Sequence, residues 1–181
     1  MKIMHRAALA VAAIACAASS ATAQLIPIVR TPSQTDFEND FETKPWEEVA
    51  TQLPPLPLKK DLSPFYVSAA TEHRFFIDPE AVSVGQDGVV RYTVVIETSG
   101  GANNTSYEGM RCQTREWRHY ASGHPGIGWS KTRNAPWHKI REEPSNRFRA
   151  ALFSDFFCPE GVIASLKEIR FALKREAERS R

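Results

Sequence analysis

Two cysteines remain once an export signal is set aside, and their pairing constrains the fold more than any other feature of the chain. Cys112 and Cys158 span 47 residues counting both ends. In an oxidising compartment two such thiols are expected to form one disulfide. On the loop-entropy model, closing that length of chain stabilises the fold by about 4 kcal/mol. The spacing is far from a Cys-x-x-Cys redox pair, and two ligands do not complete a zinc site.

The expected compartment follows from the N-terminus. Lys2 and Arg6 give a positive start, Ala7 to Ala18 is an unbroken run of apolar and small residues, and Ala21-Thr22-Ala23 fits the small-x-small rule. The pattern predicts a signal peptide over residues 1–23, cleaved after Ala23, and a periplasmic or secreted mature chain beginning at Gln24. No later segment approaches the roughly 20 apolar residues of a membrane helix. Ala13-Ile14-Ala15-Cys16 lacks the leucine usual three residues before a lipidated cysteine, so lipidation at Cys16 is not expected.

Without Lys2 and Arg6 the chain carries 21 basic and 21 acidic residues, but unevenly. Asp36 to Glu48 holds six acids and one lysine; Arg111 to Arg149 holds nine basic residues and three acids. These regions face each other or water, or else the basic one offers a face to an anionic partner such as an envelope or host-surface protein or polysaccharide. The exported address argues against nucleic acid.

Residues 24–60 include Pro27, Pro32, Pro45 and Leu53-Pro54-Pro55-Leu56-Pro57-Leu58. Each proline removes a donor and fixes its backbone, so this leader is expected to be extended, with Phe37, Phe41 and Trp46 as docking anchors. The domain proper is placed at residues 61–181. Phe75-Phe76-Ile77 reads as a short strand, Gln86-Asp87-Gly88 as a tight turn, and Val89 to Glu97 as the clearest strand, with Val90, Tyr92, Val94 and Ile96 on one face. Ser106 to Tyr120 reads as one long return strand with a bulge near Arg115, Met110 and Cys112 facing inward. Gly123 to Gly128 is a loop, Trp129 starts a short segment, and Trp137 to Ile140 is a candidate edge strand. Ser145 is a candidate cap for a helix buried through Phe148, Leu152, Phe153, Phe156 and Phe157, broken at Pro159 and Gly161. Leu166, Ile169 and Leu173 form the stripe of a last amphipathic helix with a basic outer face. The expected fold is α+β: a single antiparallel sheet of four or five strands, C-terminal helices packed on one face, and one disulfide.

Several stretches together, Phe41-Glu42-Thr43-Lys44-Pro45-Trp46, Pro64-Phe65-Tyr66-Val67-Ser68, Arg74-Phe75-Phe76-Ile77-Asp78, Tyr107-Glu108-Gly109-Met110-Arg111-Cys112 and Asp155-Phe156-Phe157-Cys158-Pro159, resemble the CNP-one-like proteins. These are exported proteins of proteobacteria, and the resemblance covers about Asp40 to Leu173. It implies no enzymatic activity. The order of strand, hairpin, cysteine and Phe-Cys helix is also similar to the surface-adhesin E family, whose members bind host matrix proteins; this implies a small sheet with a helix held by one disulfide, and no contact motif matches residue by residue.

No Gly-x-Ser-x-Gly elbow accompanies His73, His119, His124 and His138. Asp36, Asp40 and Glu42 lack the calcium-loop pattern. No catalytic residue, metal ligand or cofactor is therefore assigned. The best candidate binding surface is Arg111, Arg115, Trp117 and His119, read as alternating along one side of the long strand. The expectation is an exported, non-enzymatic binding or envelope protein, with a periplasmic hydrolase or a lipid-anchored assembly subunit as alternatives.

Overall fold

The computed structural model describes residues 45–180, which belong to one compact unit, Pro45–Arg181. The signal segment with Cys16, the acids Asp36 to Glu42, and Phe37 and Phe41 lie outside the described residues.

Eight antiparallel strands form one sheet, not four or five. They are β1 (Ser63–Phe65), β2 (Arg74–Ile77), β3 (Ser83–Val84), β4 (Val89–Glu97), β5 (Asn103–Arg111), β6 (Glu116–His124), β7 (Gly128–Lys131) and β8 (His138–Lys139). The main order is β1-β2-β4-β5-β6-β7, with β3 added to β4 and β8 to β6. The extra strands are two to four residues long, too short for an alternating pattern to announce them. Splitting the expected long return strand adds another. Cys112 to Arg115 is a tight turn closed by the Arg115 amide on the Cys112 carbonyl (3.2 Å), with Arg115 at a φ of 51°. This turn contains no glycine, proline or asparagine to mark it. The one register shift between β5 and β6 falls at Tyr107/Glu108, where Tyr120 is the extra residue of the bulge, not at Arg115.

Strand β4 is buried on both faces, which explains its apolar sequence. Val90, Tyr92 and Val94 meet the helical layer; Val89, Arg91, Thr93 and Val95 lie under other cover. The helical layer starts with α1 (Arg147–Ala151), which continues as a π-helical segment over Leu152–Phe157, and ends with α2 (Leu166–Arg179). Helix α1 begins after Asn146 with no side-chain cap, so Ser145 does not cap it. The wide turn is closed by the Cys158 amide on the Phe153 carbonyl, five residues back (2.8 Å). It turns Phe156, Phe157 and Cys158 inward together. Phe157 packs on Tyr92 (ring centroids 5.0 Å), Phe148 on Phe75 (5.7 Å) and Phe156 on Phe65 (6.1 Å). Helix α2 opens with a capping box between Ser165 and Glu168 and buries Ile169 and Leu173. Cys112 and Cys158 form the disulfide, with Cα atoms 5.5 Å apart, and so fasten the π-helical segment to the β5–β6 hairpin.

Residues 45–58 run over the opposite face without helix or strand. Trp46 Nε1 donates to the Asp87 carbonyl (2.8 Å), the Val49 amide donates to Asp87 Oδ2 (2.9 Å), and Trp129 Nε1 donates to the Pro54 carbonyl (2.7 Å). Proline-rich chain cannot join a sheet as a central strand, so it is held by side chains instead.

Candidate functional site

The four residues singled out from sequence do not make one open patch. Arg111 pairs across the hairpin with Glu116 (3.4 Å), and its guanidinium sits 3.8 Å from the centre of the Trp46 ring and 5.5 Å from that of Trp137. Arg115 is on the turn, half exposed, opposite Glu142 (3.5 Å). Trp117 pairs with Met110 and packs against the core, its ring covered by the Arg149 guanidinium at 3.3 Å and flanked by His138 at 5.3 Å. His119 bonds Thr132 through Nδ1 (2.7 Å) and Ser122 through Nε2 (3.3 Å). The turn at Cys112–Arg115 is the reason: it breaks the assumed alternation, so Arg111 meets the 45–58 segment while Trp117 meets the core. The cationic groups of this set are already stacked or paired. His119 and His124 share no metal site, and among the described residues no three His, Cys, Asp or Glu side chains gather as metal ligands would.

Two polar clusters hold the layers together. Beneath the helices, Glu108 is fully buried and accepts from Arg149 Nε (2.8 Å) and Nη2 (2.6 Å), Tyr92 Oη (3.0 Å) and Ser106 Oγ (3.0 Å). Burial and the neighbouring Glu108 carboxylate push the Tyr92 phenol well above its ordinary value, so it stays a donor. On the other face Arg91 forks onto Asp87 (2.6 and 3.1 Å), while Glu48 accepts from Arg118 (2.5 Å) and Tyr120 (2.5 Å). Burial pushes the Asp87 carboxyl up, but the Arg91 hydrogen bond and the amides of Val49 and Val89 outweigh it and hold the carboxyl below its ordinary value. Apart from Arg118 Nε, which is buried without a partner among the described residues, the side-chain groups of both clusters are hydrogen-bonded, and their role is structural.

The open chemistry lies elsewhere, beside the start of α1. Two adjoining cavities of about 310 and 440 Å³ share Val67, Thr71, His73 and Phe75 as walls. Ile96, Pro144 and Phe148 complete the apolar lining of the first, and Arg147 and Ser145 edge it. Among the described residues no acidic side chain lines either cavity. His73 Nδ1 accepts the Ser99 amide (3.3 Å). That bond leaves the proton of the neutral ring on Nε2, as a donor. Arg147 donates to Ser68 Oγ (3.3 Å) and, among the described residues, has no carboxylate partner within 4.0 Å. In the sequence after residue 23 His73 is one histidine of four, and Arg147 carries no local signal. Their meeting depends on the β2–α1 packing, for which no local motif exists.

The CNP1-like family matches residues 41–174. The chain belongs to the CNP1-like family. The match spans the sheet, the disulfide and α2 as far as residue 174, leaving the last five residues of that helix outside. No curated protein and no solved structure matches the chain. Membership in the CNP1-like family by itself assigns no reaction, ligand or partner.

Proposed function

We propose that the protein is an exported binding protein of the cell envelope with no reaction of its own. The observation that carries this reading is the lining of the His73–Arg147 groove: an apolar floor, hydrogen-bond donors at the edge and, among the described residues, no acidic side chain. Recognition sites have this composition, with few convergent polar groups on an apolar wall. A hydrolase that used His73 as its base would need a ring nitrogen free to take a proton from a hydroxyl. His73 offers a donor there instead, because its accepting nitrogen is already occupied by Ser99. The disulfide favours an oxidising compartment, in keeping with the signal-like N-terminus. The basic stretch around Arg111 and Arg115 serves the fold in this reading, and the groove serves the ligand.

The test is native mass spectrometry of protein recovered from a periplasmic fraction, beside an Ala70→Trp variant that fills the groove from its exposed rim. A mature chain starting at Gln24, carrying a ligand that the variant lacks, is expected. Retention in the cytoplasm with the N-terminus intact, or a fraction free of groove-dependent ligand, would end the proposal. Acylation at Cys16 would shift it to a lipid-anchored subunit.

A further inference from the structure

We infer that the groove beside α1 takes a single-chain amphiphile with a carboxylate head, a free fatty acid of medium length. This rests on the reading of the protein as a binding protein and names its ligand class. The floor is made of Val67, Phe75, Ile96 and Phe148, which offer apolar contact and no hydrogen bond to a tail. At the edge stand Arg147 and His73. The guanidinium is a planar fork that suits a carboxylate, and its single hydroxyl partner, Ser68, leaves donors over. His73 Nε2–H adds one more donor from the other wall. Among the described residues no acid lines either cavity, which leaves the Arg147 cation without a carboxylate partner at an apolar slot. The complementary molecule carries one negative charge on an apolar chain. Cavities of about 310 and 440 Å³ lie within the ordinary range for small-ligand sites. Arg74, which lines the second cavity, is paired with Glu97 and adds no net charge.

The experiment is calorimetric titration of the mature, disulfide-bonded protein with decanoate below its micellar concentration. Decyltrimethylammonium supplies the same tail with the opposite charge, and acetate supplies the head without the tail. Decanoate is expected to bind saturably and the other two not. Arg147→Gln should weaken decanoate roughly tenfold or more, the usual consequence of losing a charged hydrogen-bond partner, with an unchanged unfolding midpoint. Ala70→Trp should abolish binding. Absence of decanoate binding, equal affinity in Arg147→Gln, or equal binding of decyltrimethylammonium would each overturn the inference. Arg147 is a partly exposed residue in the first turn of α1, so its variant folds and decides the matter even if Ala70→Trp does not. A ligand found by native mass spectrometry alongside failure of decanoate would reject the fatty acid and leave the binding function standing.

Discussion

The Glu108–Arg149 pair gives a prediction whose size follows from burial. An exposed ion pair is worth about 0–1 kcal/mol, whereas removing one partner of a buried pair costs about 3–5 kcal/mol, because the remaining charge is stranded. Here the side chains are 1% and 12% exposed. Arg149→Met keeps part of the apolar contact on Trp117 but leaves the Glu108 carboxylate with only the hydroxyls of Tyr92 and Ser106. The variant is therefore expected to lose about 3–5 kcal/mol. Glu108→Gln alone should also destabilise, since it strands Arg149. In the Arg149→Met background the same change should stabilise, by about 2 kcal/mol, because it removes the stranded charge while keeping an acceptor for Tyr92. Urea unfolding with the disulfide intact measures all four corners of this cycle, provided the slope stays constant. The sign reversal is the decisive observation. If Glu108→Gln destabilised equally in both backgrounds, or if Arg149→Met cost under about 1 kcal/mol, the pair would behave as a solvated one and the reasoning would fail.

Three further outcomes are expected. Replacing Cys112 and Cys158 together with alanine should cost about 4 kcal/mol on the loop-entropy model, read by denaturant titration, with faster amide exchange concentrated in Arg147 to Phe157. Asp87 has a lowered folded pKa, so the stability it contributes is complete above its unfolded value near pH 4 and is lost as pH falls through the folded one; Asp87→Asn should reduce the loss of stability below about pH 4 relative to wild type in an acid titration. A side chain at Gly109 would meet Tyr120, its hydroxyl at 2.3 Å and ring carbons at 2.7 and 2.8 Å, so Gly109→Ala should cost about 1–3 kcal/mol. Because Tyr120 holds Glu48, the same variant should also speed limited proteolysis within residues 45–58.

What the sequence made legible were the parts governed by short-range rules. Strand β4 shows its alternation, Asp87-Gly88 its turn, and Phe148 to Phe157 its buried spacing, because each signal lies within a dozen residues. Arg115 shows the limit. An arginine at positive φ closes a turn that its residue type disfavours, so two strands read as one and the intended basic face was assigned to the wrong sides. The short edge strands β1, β3, β7 and β8 exist because neighbours pair with them, not because their own residues prefer to be extended. The groove was less legible still. Arg147 is 74 residues from His73, and only the stacking of Phe148 on Phe75 brings their neighbours together.

That stacking also links stability to the candidate site. Phe75 and Phe148 are core residues, yet the same two rings form the floor of the first cavity. The groove thus joins the edge of the core to the loops before β2 and before α1, and core packing sets its floor. Helix α1 is a single short stretch of five residues before the π-helical segment, too short to hold itself. Its position depends on the Glu108–Arg149 pair at one point and on the Cys112–Cys158 bond beyond its C-terminus. Arg147 and Phe148 precede Arg149 on that same turn. Loosening either tie should therefore weaken ligand binding in proportion to the shift of α1, even though neither Glu108 nor either cysteine lines the groove. A ligand that holds α1 in place would in turn stabilise the oxidised, folded form by mass action, increasingly as its concentration exceeds its dissociation constant.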